Sequence, residues 1–315
     1  MKTADEKITA DAAARVSAWR LGGLSWRTLG RRVWEEIYAG GLLTHAAALA
    51  FYFLFALFPL LLFLMTLLGF FAETGTELRS NLLGFLSRVA PPSASALIYT
   101  TVEEIAAGAD GWRLWLGLVS ALWFASLGIA ALSDSLNAMY GVRESRPFWR
   151  VRLSAVGLTA ALVVLILSAL LLMLYGGEIG AGIAGYFNQG TLFTTVWTIA
   201  QVPLALAFVL FAFALIYYFA PDLYEQKWYW ITPGAVIGVV LWLVVSSLLR
   251  VYLRHFDSYS LTYGSLGAVI VLMLWFYLTG VAILIGGKIN AEIENAAARA
   301  GVPEAKQRGE KTAEN

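Results

Sequence analysis

Residues 153–175 read LSAVGLTAALVVLILSALLLMLY, 23 residues without a charged side chain. At about 1.5 Å of rise per residue, such a helix is about 34 Å long and can cross a hydrocarbon core of about 30 Å. The strands of a membrane β-barrel would alternate with a period of two over about 10 residues, and that alternation is absent. Five further stretches meet the same length requirement: 46–71, 112–132, 192–219, 231–249 and 266–286. The chain therefore reads as all-α, a polytopic membrane bundle of six transmembrane helices.

Composition agrees. Of 315 residues, 59% are hydrophobic and 14% charged, where a soluble domain carries about 25% charged. The mean hydropathy is +0.71. A net charge of +1 gives no basic field for nucleic acid. The absence of cysteine excludes disulfide frameworks, thiolate zinc sites, iron–sulfur clusters and thiol catalysis.

Cations set the expected orientation. Lys2, Lys7, Arg15, Arg20, Arg27, Arg31 and Arg32 precede the first span, and Arg143, Arg146, Arg150 and Arg152 follow the second. Lys227 follows the fourth, and Lys288, Arg299, Lys306, Arg308 and Lys311 follow the sixth. Only Arg79, Arg88, Arg113, Arg250 and Arg254 fall on the other side. Because cytoplasmic loops carry the excess of Lys and Arg, both termini are expected in the cytoplasm. Forty-odd polar and amphipathic residues precede the first run, so that run reads as an uncleaved start of insertion.

Three domains of organisation follow: a cytoplasmic and interfacial segment over 1–44, a transmembrane domain over 45–287 and a cytoplasmic tail over 288–315. Within 12–38, Val16, Trp19, Trp26, Val33 and Ile37 fall near one helical face with arginines on the others, which reads as an amphipathic interfacial helix. It is either a structural anchor or a sensor of anionic lipid. The long connection 73–111 holds two short helical patterns broken by Pro91 and Pro92. It reads as an extracytoplasmic helical hairpin capping the bundle. From about Gly301 the tail is polar and is expected to be disordered.

Several segments taken together resemble the YihY/virulence factor BrkB family of bacterial inner-membrane proteins, once labelled ribonuclease BN. They are His45-AAALAF-Tyr52 through Phe58-Pro59-LLL, and Leu122-Trp123 through Asn137, Tyr140, Glu144, Arg146 and Phe148-Trp149-Arg150. Tyr217-YFAP-Asp222 follows, with Trp228 and Pro233-Gly234. The last set is Tyr252, Phe256, Tyr259, Tyr263-GSL-Gly267, Leu274-WF-Tyr277 and Gly286-GKINA-Glu292. The resemblance covers roughly residues 30–295 and implies six helices and a plasma-membrane location. It departs at Ala56, where the family usually has serine a turn before the helix-one proline.

Ribonuclease activity is not expected. Metal-dependent hydrolysis needs clustered His and carboxylate ligands, and the two histidines, His45 and His255, are expected on opposite sides of the membrane. Neither a Gly-rich phosphate loop nor a nucleophile elbow is present. The chain is read as a non-enzyme without a cofactor or metal and without a nucleic-acid partner.

The remaining candidates are polar groups at helix ends and prolines within helices. Pro59 and Pro203, the latter beside Gln201, each free a backbone carbonyl and either kink a helix or line a site. Pro59-LLLF and Pro203-LALAF echo each other, as do Leu122-Trp123 and Leu241-Trp242, a faint three-plus-three symmetry. Asp134 and Asn137 are three residues apart and share a helix face with Tyr140 beyond them. With Arg146 and Arg150 they form either a mouth for an anionic headgroup or a set of topology cations. Arg250, Arg254 and Asp257, among Tyr252 and Tyr263, pose the same choice at the outer end. Asn290 and Glu292 close the last span beside Gly286-Gly287, as gate or scaffold, and Tyr52 belongs to the first family segment. The expected function is transport or flipping of an amphipathic or anionic envelope-related molecule, lipid or small, in contact with membrane lipids. The alternative is a non-transporting scaffold or envelope-maintenance factor acting through protein partners.

Overall fold

A computed structural model describes residues 21, 23–39, 41–71, 111–186, 191–223, 232–255 and 259–300. Among them are seven α-helices and no strand: α1 Trp26–Ala39, α2 Leu42–Phe71, α3 Gly111–Tyr140, α4 Phe148–Tyr186, α5 Thr191–Phe219, α6 Pro233–His255 and α7 Tyr259–Arg299. Six of these, α2 to α7, are long and apolar enough to cross a membrane. The expected cap over 73–111 lies outside the described residues except for Gly111, as do residues 12–20 of the interfacial segment and the tail from Gly301.

Helix ends differ from the apolar boundaries for identifiable reasons. α3 runs two turns past Leu132 with its serine hydroxyls satisfied inside the helix, Ser133 Oγ donating to the Ile129 carbonyl at 3.1 Å and Ser135 Oγ to that of Ala131 at 2.9 Å. The helix stops at Gly141, whose φ of 70° only glycine adopts readily. There the Val142 N–H bonds to the Asn137 carbonyl and the Gly141 N–H to that of Ala138, a Schellman closure. α4 begins at Phe148, directly after Pro147, so Arg150 and Arg152 belong to a helix and not to the preceding loop. α6 begins at Pro233, where a missing N–H costs nothing, and the Thr232 hydroxyl accepts the Ala235 N–H at 3.1 Å. α7 continues past Gly286 to Arg299.

Each helix packs on its successor, and α7 returns to close on α2 and α3. α1 runs antiparallel along the last turns of α7. Arg32 meets Glu292, Glu36 meets Lys288, and farther along Ala46 of α2 meets Gly280. The main core joins Leu49 of α2, Leu132 and Leu136 of α3, Phe213 and Tyr217 of α5, Val239 of α6 and Leu284 of α7. Leu29 and Val33 of α1 pack on Ile289 and Ile293 of α7. Phe51, Phe55, Val164, Ile199, Val202 and Leu248 are among the large apolar side chains left exposed, which suits a lipid surround. Because lipid removes the hydrophobic drive between helices, close contact at small residues holds them together. One such contact sets Gly128 of α3 against Phe53 and Ala56 of α2, the position that departs from the family serine.

Candidate functional site

The ends of α3 and α5, the start of α6 and the last turns of α7 meet at one end of the bundle, here called the terminal face. Its polar side chains are tied together. Asn137 is buried; its Nδ2 donates to Glu144 Oε2 at 2.9 Å, and its Oδ1 accepts the Asp222 N–H at 2.7 Å. Arg146 donates from Nε and Nη2 to the two oxygens of Glu144, each at 2.8 Å, and from Nη2 to the Ala220 carbonyl at 3.0 Å. Its Nε also lies 3.5 Å from Asp222 Oδ1. The N–H and hydroxyl of Ser145 donate to Asp222 Oδ2 at 2.8 and 2.6 Å. The α3–α4 connection is thus fastened to the end of α5. Asp134, on α3, is exposed.

Burial pushes the Glu144 carboxyl up, but hydrogen bonds and charge from Arg146 outweigh it and hold Glu144 below its ordinary value. The same hydrogen bonds from Glu144 hold the Arg146 guanidinium above its own. A depressed carboxyl favours the folded state above the unfolded pKa of about 4.3 and loses that contribution as pH falls through the folded value. Melting temperature in detergent should therefore fall on acidification below about pH 4, and Glu144→Gln should flatten that dependence. An unchanged acid slope in the variant would assign the loss to other carboxyls.

A second seam joins α5, α6 and α7. Tyr217 is buried and donates its hydroxyl to the Ile283 carbonyl at 2.8 Å. Asn290 accepts the Gly234 N–H through Oδ1 at 2.9 Å and donates from Nδ2 to Thr232 Oγ1 at 3.0 Å. Gly234 and Gly286 face each other so closely that a Cβ on either would stand within 2.5 Å of the other's carbonyl oxygen. Beside this seam lies an ionic chain. Lys288, 2% exposed, places Nζ 2.8 Å from Glu36 and 3.1 Å from Glu292, and Glu292 accepts from Arg32 at 3.0 Å.

The other candidates are dispersed. Tyr52 is exposed on α2, its ring edge-on to Phe51 at 5.7 Å. Pro59 and Pro203 lie inside α2 and α5. Gln201 is half-buried, and its Nε2 is buried without a hydrogen-bond partner. Arg150 is exposed, with its guanidinium carbon 5.1 Å from the Trp149 ring centroid. Arg250 is exposed on α6. The side chains of Arg254 and Tyr263, and the whole of Asp257, lie outside the described residues. His45 stands in the first turn of α2 and His255 ends α6, at opposite ends of the bundle. Among the described residues no three His, Asp or Glu side chains group as a metal site.

Glu36, Asp222, Ser145 and Thr232 were not legible as site residues. The i, i+4 spacing shared by Arg32–Glu36 and Lys288–Glu292 is the one signal that could have exposed the ionic chain. Partners 58 to 260 positions apart leave no local trace.

The profile of the virulence factor BrkB family matches residues 33–311, nearly nine-tenths of the chain and all of the terminal-face network but Arg32 of its ionic chain. The chain belongs to the virulence factor BrkB family. A Bacillus subtilis (strain 168) relative named ribonuclease-like protein YfkH is 39% identical over 246 residues, 78% of this chain and 88% of that protein. UPF0761 membrane proteins from Xanthomonas oryzae pv. oryzae and Xanthomonas axonopodis pv. citri are each 25% identical over 273 residues, 84% of this chain. This BrkB-family chain spans only about 60% of the length of those Xanthomonas relatives. No solved structure matches it.

Proposed function

We propose that this BrkB-family protein resides in the bacterial inner membrane with both termini in the cytoplasm and moves an anionic amphipath of the envelope across or between leaflets, without catalysis or ATP hydrolysis of its own. One observation carries the reading. Gln201 Nε2 and Tyr175 Oη are buried in α5 and α4 and bond to nothing among the described residues. On the same pair of helices Trp197 Nε1 donates to the Gly176 carbonyl at 2.5 Å, and Pro203 interrupts the α5 hydrogen-bond ladder within a turn of Gln201. Gln201 stands 10 residues from Thr191, about 15 Å from that end of α5. Buried polar groups left open cost free energy, and proline-interrupted helices beside such groups serve as substrate sites in membrane bundles.

The test is purified protein in liposomes carrying a headgroup-labelled anionic phospholipid, with an impermeant quencher added outside. Wild type is expected to expose inner-leaflet label several-fold faster than empty vesicles, and Gln201→Leu to slow it. Rates equal to empty vesicles across anionic and zwitterionic lipids would sink translocation. The scaffold reading is favoured by a different feature, the exposed Trp26, Trp34 and Tyr38 on α1. It requires no flux and loss of a co-purifying envelope protein in Trp34→Ser/Tyr38→Ser.

A further inference from the structure

The cationic run after α3 does not behave as one group. Arg146 is held by Glu144 and Asp222, and Arg143 and Arg150 are exposed. Arg152 is different: it is 6% exposed. Its Nη2 donates to the Trp123 carbonyl, and its guanidinium carbon lies 4.4 Å from the Trp123 ring centroid. Its Nε is buried and bonds to nothing, and no carboxylate among the described residues pairs with it.

Depth makes this arrangement costly. Trp123 stands 17 residues before Tyr140 and 12 after Gly111, about 25 and 18 Å along α3. Arg152 itself is the fifth residue of α4, about 6 Å from its start, but its guanidinium reaches in to the Trp123 carbonyl. A positive charge drawn into the span without a counter-charge is expensive and marks ligand or ion sites. The ring face and one carbonyl offset part of that cost. The carbonyl is already shared, since Ser126 Oγ donates to it at 2.6 Å. The free Nε–H is a charged donor left open beside the engaged Nη2, and a phosphate oxygen is the acceptor that guanidinium chemistry favours there. Around it Trp123, Phe124 and Leu153 are exposed and apolar, a wall suited to acyl chains.

We infer that the α3–α4 face at Arg152 and Trp123 binds the phosphate of an anionic amphipath, with the guanidinium on the headgroup and the apolar wall on the chains. This deepens the proposed translocation by naming the headgroup chemistry, but it is read as binding at equilibrium. A protein that binds and moves nothing sinks translocation alone. One whose Arg152→Gln form moves lipid and binds it as before sinks this site alone.

The experiment is native mass spectrometry and thermal melting of the full chain in neutral detergent, with phosphatidylglycerol, phosphatidylcholine or inorganic phosphate added. Phosphatidylglycerol is expected to be retained in preference to phosphatidylcholine and to raise the melting temperature. Arg152→Gln should weaken that binding about tenfold, the scale of a lost charge-assisted hydrogen bond. Arg152→Lys, which keeps charge and loses the fork, should fall between. Inorganic phosphate should neither stabilise the protein nor displace lipid; displacement at equal concentration would overturn the amphipath in favour of a soluble phosphate. Equal retention of the two lipids, or wild-type affinity in Arg152→Gln, overturns the site. If Arg152→Gln does not purify folded, Arg152→Lys decides, and wild-type affinity there overturns it too.

Discussion

Gly286→Ala is expected to cost several kcal/mol or to abolish folding, although it adds one methyl group to a helix. Propensity alone has the opposite sign, since alanine is favoured over glycine in a helix interior by about 1 kcal/mol. Geometry decides. A Cβ at Gly286 would stand 2.2 Å from Tyr217 Oη and 2.5 Å from the Gly234 carbonyl oxygen. Neither obstacle is the free end of a flexible chain. The Tyr217 hydroxyl is fixed by its bond to the Ile283 carbonyl, and the Gly234 carbonyl is helix backbone. Relief requires α6 to retreat from α7, which breaks the Asn290 bond to the Gly234 N–H and opens the packing around Val239 and Leu284. Overpacking typically costs about 1–3 kcal/mol, and a buried hydroxyl left unpaired adds about 1–3. Gly280→Ala is the control, because its nearest neighbour would be Ala46 at 3.4 Å, an ordinary contact. Detergent melting should separate the two variants widely. Tyr217→Phe removes the nearest obstacle, so adding it should recover part of the Gly286→Ala loss. Equal melting of Gly286→Ala and Gly280→Ala would disprove the close approach of α6 and α7.

The six spans were legible because charge-free runs of 19 to 28 residues leave a helix in lipid few alternatives. Helix ends were less so, since the apolar run marks where the lipid-like stretch stops and not where backbone hydrogen bonding stops. α3 continues past its apolar run with the Ser133 and Ser135 hydroxyls bonded back within it, and α7 continues where α1 neutralises the charges beyond Gly286. Asn137 and Arg146 were found by their nearness to a helix end, whereas Asp222, which completes their network, lies far along the chain. Arg150 and Arg152 look equivalent as letters. Once Phe148 fixes the helix start, they sit about 200° apart around α4, one exposed and one buried. Glu36 was silent because a carboxylate on an amphipathic helix reads as solvated.

That silence gives the second large expected effect. Lys288→Met should release α1 from the bundle. Lys288 is 2% exposed, and the carboxylates of Glu36 and Glu292 that it bridges are 11% exposed. Removing the ammonium leaves Glu36 a nearly buried carboxylate without its cation, while Glu292 keeps Arg32. Breaking a buried pair from one side costs about 3–5 kcal/mol, because the charge left behind keeps its desolvation cost and loses its compensation. The apolar contacts of Leu29 and Val33 with Ile289 and Ile293 are the remaining hold on α1, so the loss should appear first as local opening. Trypsin should then cut at Arg27 or Arg31 in native detergent at a rate at least tenfold above wild type, since each 1.4 kcal/mol of lost docking raises the open population tenfold. Glu36→Gln with Lys288→Met should cost less than Lys288→Met alone, because no charge is stranded. Arg31→Gln breaks the exposed Arg31–Glu35 pair and should leave cutting at Arg27 unchanged, as exposed pairs contribute little. Added salt should scarcely mimic Lys288→Met, because buried pairs are weakly screened. If Lys288→Met is cut no faster than wild type, apolar packing alone holds α1, and the ionic chain is a consequence of docking and not its cause.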